Sequence, residues 1–187
     1  MSTHVDPASY IGNVPFFKNL SSLDLISIMC CTQTSIFAKD ENLFNQNDPA
    51  DGLYILRSGK IWIYIFSGIV GENPKVLAEF GPGNYVGEFG FIDGQPRSAS
   101  AMALEPCEVT YLPAHEFAKL IEQHPDIAQS VTQYLTRMVL NLPQFKIKNS
   151  KTRSLMEQGF IEPNLTTMKT LCWAIRESNK KVAIWRK

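Results

Sequence analysis

The sequence has no long hydrophobic run. The longest, Ile61 to Phe66, falls far short of the roughly 20 apolar residues that a bilayer-crossing helix needs, so no membrane association is expected. Histidine is scarce: His4, His115 and His124 are the only three in 187 residues. None of the four cysteines (Cys30, Cys31, Cys107, Cys172) stands in a C-x-x-C pair. A structural zinc site and a disulfide framework are both disfavoured by that pattern, and no metal is expected. Met1 is followed by Ser2, Thr3, His4, Val5 and Asp6, not by a basic and then apolar leader, so a cytoplasmic chain with reduced thiols is expected. Also missing are a nucleophile–base pair and paired carboxylates at catalytic spacing; no catalytic residue is assigned and an enzyme is not expected. The vicinal pair Cys30-Cys31 falls in an otherwise apolar helical run and reads as buried and inert.

What is present is the composition of an ordinary globular chain. Apolar residues make up 44% and charged residues 19%, enough for a core and too apolar for disorder throughout. The formal net charge is zero, with 18 basic and 18 acidic side chains, but it is unevenly spread. Residues 1–143 hold 8 basic and 15 acidic residues, a net of −7, whereas residues 144–187 hold 10 basic and 3 acidic, a net of +7. A split of this kind suggests a separate task for the tail, or a tail resting on its own acidic domain. Pro143 marks the boundary, since proline ends a preceding helix.

Residues 1–19 look irregular. A helix is expected from about Ser21, whose hydroxyl caps the first turn with Asp24 in support. From Ser35 the pattern turns to short strands of period two, over 35–38, 42–45, 53–57, 60–66, 75–80, 84–87, 98–104 and 108–112, with turn signals between them. Eight short strands with no room for crossover helices describe a mainly β fold, a jelly-roll-like antiparallel barrel flanked by an N-terminal helix and a long C-terminal helix. Phe117, Leu120 and Ile121 line a short helix that His124-Pro125 breaks, with Pro125 opening the next. There Ile127, Val131, Tyr134, Met138 and Leu142 form one apolar stripe, and Leu135 and Val139 a second. Such a helix is buried on two sides or packs on a partner helix, as in a homodimer. Beyond it, Leu165, Met168, Leu171, Cys172 and Ile175 share a face of a helix expected over 164–178. No helix-turn-helix is evident, and Trp173 and Trp185 read as anchors for packing.

The stretch that carries chemistry runs from Gly83 to Ala99. A strand ends at Val86, Gly87 permits a close backbone approach, and Glu88 to Ile92 can form about one helical turn. Amides at the start of such a turn lack internal partners and favour an anion. Arg97 follows nine residues after Glu88, and its guanidinium can bind a phosphate oxygen, leaving Glu88 to accept a hydrogen bond from a sugar hydroxyl. This describes a site for a singly charged phosphodiester bearing a sugar. The plainer alternative is a structural Glu88–Arg97 ion pair tying a loop to a strand.

The run Gly87-Glu88-Phe89-Gly90-Phe91-Ile92, followed by Pro96-Arg97-Ser98-Ala99, resembles the phosphate-binding cassette of cyclic-nucleotide-binding domains. These occur in regulatory subunits of cyclic-AMP-dependent kinase, in cyclic-nucleotide-gated channels and in the catabolite activator group of bacterial transcription factors. The Arg-Ser-Ala ending is most similar to the bacterial group. Val14-Pro15-Phe16-Phe17, Leu43 to Asp48, Leu53 to Leu56, Ser58-Gly59 and His124 to Ile127 are similar to further family segments, so the resemblance covers about residues 12–142. It implies a cyclic-nucleotide-binding domain over 12–142 and a basic, helical extension over 143–187. It also implies ligand contacts from the backbone of Gly87, Phe89 and Gly90, from Glu88 at the ribose 2′-hydroxyl, and from Arg97 with Ser98 at the phosphate. Cyclic AMP is the favoured ligand and cyclic GMP the alternative. The implied role is a sensor that relays binding through its last helix and the extension to a protein partner; a ligand-gated DNA-binding regulator is the alternative. Asp40 and Asn47 stand where the family has turn glycines, and both residue types tolerate positive φ.

Overall fold

The computed structural model describes residues 7–66, 73–141, 163–172 and 175. Two helices come first, α1 (Pro7–Gly12) and α2 (Ser22–Cys30). Eight strands follow: β1 (Gln33–Phe37), β2 (Asn42–Phe44), β3 (Gly52–Ser58), β4 (Ile61–Ile65), β5 (Lys75–Phe80), β6 (Tyr85–Val86), β7 (Ser100–Ala103) and β8 (Cys107–Pro113). A short helix, α3 (Glu88–Asp93), interrupts the strands, and α4 (Ala114–Gln123) and α5 (Pro125–Leu140) close the domain. All strand pairs are antiparallel, and they form two four-stranded sheets ordered β1-β8-β3-β6 and β2-β7-β4-β5. This is the expected jelly roll with flanking helices.

The two faces of the first sheet explain its composition. In β3, Leu53 and Ile55 belong to the core under the helices, while Tyr54 and Leu56 belong to the core between the sheets. Successive side chains of a strand point to opposite faces, so a strand covered on both sides must be apolar throughout, and β3 is buried from Gly52 to Leu56. In β8, Val109 faces the second sheet and Leu112 the helices.

Local chemistry sets the element ends. Ser21 has extended backbone, and its Oγ accepts from the amide of Asp24 at 3.2 Å while donating to the Asp24 carboxylate at 2.6 Å. Pro125 is the first residue of α5, where a missing N–H costs nothing. Asp40 and Asn47 adopt φ of 67° and 71°, so the turns that lack glycine keep the left-handed backbone.

Three expectations need correction. The N-terminal stretch is not all irregular, because residues 7–12 form α1, and Ile11 from it is fully buried with Val14, Phe16 and Phe17. The cysteine pair is not buried: Cys30 is exposed and Cys31 half-buried at the end of α2, because the buried face of that helix is carried by Ile28. Burial, and after it the Glu116 carboxylate, still push the Cys31 thiol up. Finally, the buried line of α5 is Ile127, Val131, Leu135 and Val139 at a spacing of four, and Tyr134 and Met138 are only half-buried at its edge. Leu142, Trp173 and Trp185 lie outside the described residues.

Residues 165–172 are helical, and the side-chain oxygen of Asn164 accepts from the amide of Thr167 at 2.9 Å. Met168, Leu171, Cys172 and Ile175 are buried in the same core as α5, the N-terminal segment and Phe91 of α3. The apolar face foreseen for this segment therefore packs on the domain's own helical layer.

Candidate functional site

Arg97 lies between α3 and β7, and its backbone is held before its side chain is considered. Its amide donates to Asp48 O and its carbonyl accepts from the amide of Asn47, both at 2.9 Å. The left-handed turn at Asn47 thus fixes where Arg97 starts. The side chain runs inward and the residue is 2% exposed. Its guanidinium lies 4.2 Å from the centre of the Phe44 ring and 5.5 Å from that of Tyr54, an aromatic bed that favours a cation by about 0.5–2 kcal/mol.

Its donors are partly taken by the protein. Nη1 donates to Gly87 O at 3.0 Å, and Nη2 donates to Gly52 O at 2.7 Å and to Asp51 Oδ1 at 2.5 Å. Nε is buried and has no acceptor among the described residues. The ion pair of Arg97 is therefore with Asp51, not with Glu88, and the alternative of a Glu88–Arg97 tie does not describe the fold.

Asp51 is a residue that sequence reading missed. Besides Arg97, its carboxylate accepts from the Tyr54 hydroxyl at 3.2 Å, and its backbone carbonyl accepts from the Tyr111 hydroxyl at 3.0 Å. Burial first, and the Asp51 charge second, raise both phenols, Tyr54 strongly and Tyr111 to about 12, so both stay donors across the neutral range. Asp51-Gly52 opens β3, and a β-carbon at Gly52 would collide with the Tyr111 ring and Leu112 O. That dipeptide resembles an ordinary turn signal, which is why its second task was not legible.

Gly87 caps α3 with φ 88°, and a β-carbon there would overlap the Arg97 guanidinium. Gly87, Glu88, Phe89, Gly90, Arg97 and Ser98 all line one cavity of about 480 Å³, within the size range of small-molecule sites. All six residues singled out from the sequence thus meet at one place. Glu88 and Phe89 are half-buried in the first turn of α3, Gly90 is buried and Ser98 is exposed. The opposite wall is apolar and comes from strands the sequence did not flag for it: Phe44, Ile63, Leu77 and Phe80, with Asn84 as the polar exception. Leu77 is 51% exposed, so its apolar surface is available to a bound ring. Among the described residues no cluster of histidine, cysteine, aspartate or glutamate could hold a metal, and no helix is long and apolar enough to cross a membrane.

A family model for the cyclic nucleotide-binding domain matches residues 34–124, a span that contains the whole cavity. The chain carries a domain of the cyclic nucleotide-binding family. The cyclic AMP receptor protein of Thermus thermophilus is 30% identical over 123 residues, covering 66% of this chain and 56% of that protein. The chain thus spans about half the length of this relative. Among solved structures, the N-terminal domain of a transcriptional regulator from Streptomyces coelicolor superposes with a TM-score of 0.68 at 22% identity, covering 76% of this chain and 98% of that one. The regulatory domain of Toxoplasma gondii PKA, crystallised with cAMP, gives 0.58 at 21% identity, covering 72% and 51%. At those identities the structural likenesses establish the fold, and the jelly roll is common to all three. The cyclic nucleotide-binding domain is therefore the unit to which the cavity belongs.

Proposed function

We propose that this chain is a cyclic-nucleotide sensor that binds cyclic AMP in the cavity between α3 and β5, with residues 12–142 as the binding domain and residues 143–187 as a basic extension. The observation that carries the reading is Arg97. A guanidinium has five N–H donors and no acceptor, and a buried donor left unpaired is costly. Arg97 is buried and lines the cavity, and its Nε has no partner among the described residues, so a donor is left for an acceptor from elsewhere. A phosphodiester monoanion supplies one. In this assignment Arg97 and Ser98 hold the phosphate, the backbone of Gly87, Phe89 and Gly90 follows the phosphate and sugar, and Glu88 takes the ribose 2′-hydroxyl. The base lies against Leu77, Ile63 and Phe80. With so few polar groups on that wall, cyclic AMP is favoured over cyclic GMP on the serine-bearing cassette. No catalytic step is assigned, and the output passes through α5 and the extension to a protein partner or a second copy.

Calorimetry tests the assignment. Arg97→Ala should weaken cyclic AMP binding more than about a hundredfold, roughly 2.7 kcal/mol, and Arg97→Lys should recover only part of it because the planar fork is lost. Near-normal affinity in Arg97→Ala would reject the role. The net charge of +7 on residues 144–187 supports a second reading, a ligand-gated DNA-binding regulator. Filter binding across salt decides it: DNA affinity that falls steeply with salt and rises with cyclic AMP favours the regulator.

A further inference from the structure

One short stretch of chain, residues 44–52, holds Arg97 at both ends. At the head of the side chain, Asp51 and Gly52 take Nη2, and Phe44 supplies the ring beside the guanidinium. At the root, the Asp48 carbonyl and the Asn47 amide take the backbone amide and carbonyl of Arg97. The turn at 45–48, in the middle of this stretch, is braced by side chains of its own. Asp48 Oδ2 accepts from the Asn45 amide at 2.8 Å and from Asn45 Nδ2 at 3.1 Å, and the Asp48 amide donates to Asn45 O at 3.1 Å. These local bonds close the turn across Asn47, the residue with the left-handed φ of 71°. Asn45 is tied onward: its Oδ1 accepts from Asn42 Nδ2 at 2.7 Å, and Asn42 Oδ1 accepts from the hydroxyl of buried Tyr64 at 3.2 Å. The Gln46 amide donates to Oγ of buried Ser100 at 2.8 Å. The turn is thus fixed to β2, β4 and β7, yet none of residues 45–48 lines the cavity.

We propose that Asp48 is a positioning residue for the phosphate contact and acts through Arg97; this rests on the ligand reading above. Nη1 and Nη2 are pinned by Gly87, Gly52 and Asp51. Nε, which has no acceptor among the described residues, is the guanidinium nitrogen bonded to the side-chain stem. Its aim therefore depends on where the stem starts. A root that drifts tilts the planar group about the line joining the two pinned nitrogens, and Nε swings most. A hydrogen bond weakens steeply as its angle closes, so a small drift lowers affinity without unfolding the domain. The Asp48 carboxylate sets the root because its loss releases both Asn45 donors, and with them the turn that presents the Asn47 amide and the Asp48 carbonyl to Arg97.

Calorimetry with cyclic AMP on the full chain tests this in Asp48→Ala and Asp48→Asn, each made also in the Arg97→Lys background. Asparagine keeps an acceptor oxygen for the Asn45 amide, and lysine has no Nε. Asp48→Ala should weaken binding at least about tenfold in the wild-type background but less than about twofold in Arg97→Lys, and Asp48→Asn should stay within about threefold of wild type. Full affinity in Asp48→Ala, no recovery in Asp48→Asn, or a loss undiminished in Arg97→Lys overturns the proposal. A turn that only supports the fold gives the first of these results together with a lowered urea midpoint. Should the wild-type chain take up no cyclic AMP, the ligand reading fails by itself. The positioning is then read in the ligand-free chain from the Nε–Hε NMR signal of Arg97, identified by its absence in Arg97→Lys. That signal should shift in Asp48→Ala and return in Asp48→Asn; an unmoved signal in Asp48→Ala overturns the proposal.

Discussion

At the scale of single residues, the site is built on what two glycines permit and one arginine demands. Gly87 combines a φ of 88° with a backbone carbonyl that accepts from Arg97. Gly87→Ala introduces left-handed strain of about 1–2 kcal/mol and drives its methyl group into the guanidinium. Urea denaturation should show at least that loss, and cyclic AMP titration should show weakened binding beyond what the strain explains, since Arg97 must move. The tyrosines give a pH signature. Tyr54, Tyr85 and Tyr111 all have phenols raised from the ordinary value of 10, Tyr111 to about 12. A raised acid is neutral in the fold and ionises sooner when unfolded. Its stabilising effect is intact below pH 10 and is lost as pH rises from 10 through about 12. Thermal melts should therefore hold steady to pH 9.5 or so and fall steeply above pH 10, with tyrosinate absorbance appearing together with unfolding.

At the scale of elements, the segment 165–172 and Ile175 matter most. Met168 has no exposed surface and shares a core with Ile127, Val131 and Leu135 of α5 and with Phe91 and Ile92 of the cassette helix. If the segment is part of the domain, Met168→Ala leaves a cavity in that core and costs about 2–5 kcal/mol, read as a lower urea midpoint with unchanged slope. A stability change within about 0.5 kcal/mol would mean the segment contributes little. At the other end of the helical layer, Ser21→Ala removes the α2 cap and should cost about 1 kcal/mol in the same assay.

At the scale of the whole molecule, the proposed ligand site lies between α3 and the strands that carry Phe44, Ile63, Leu77 and Phe80. Binding to the folded state alone stabilises it by mass action, about 2.7 kcal/mol at one hundred times Kd. For a chain of this size that is a rise in Tm of roughly 5–10 °C. Cyclic AMP at saturation should give such a rise, cyclic GMP a smaller one, and linear AMP almost none, because it carries an extra charge and lacks the ring. Equal shifts for linear and cyclic AMP would remove the case for a site shaped to a monoanion.

Much of this was legible before any coordinates. All eight strands, the capped helix after Ser21 and the proline that opens α5 follow from local rules of period, capping and ring closure, which act over a few residues. That the six residues proposed for the site line one cavity was legible too, because Gly87 to Gly90 and Arg97 with Ser98 are close in the chain. The first helix escaped because Pro7 to Gly12 is only six residues long, too short to show an apolar stripe, and it buries Ile11. Cys30 was misplaced because an apolar helix does not reveal which of its faces turns inward. What only the tertiary structure decided was the partner of Arg97. Asp51 lies 46 residues away in the chain. Nothing in local sequence encodes such distances, because they are set by which strands pair and which sheet faces meet.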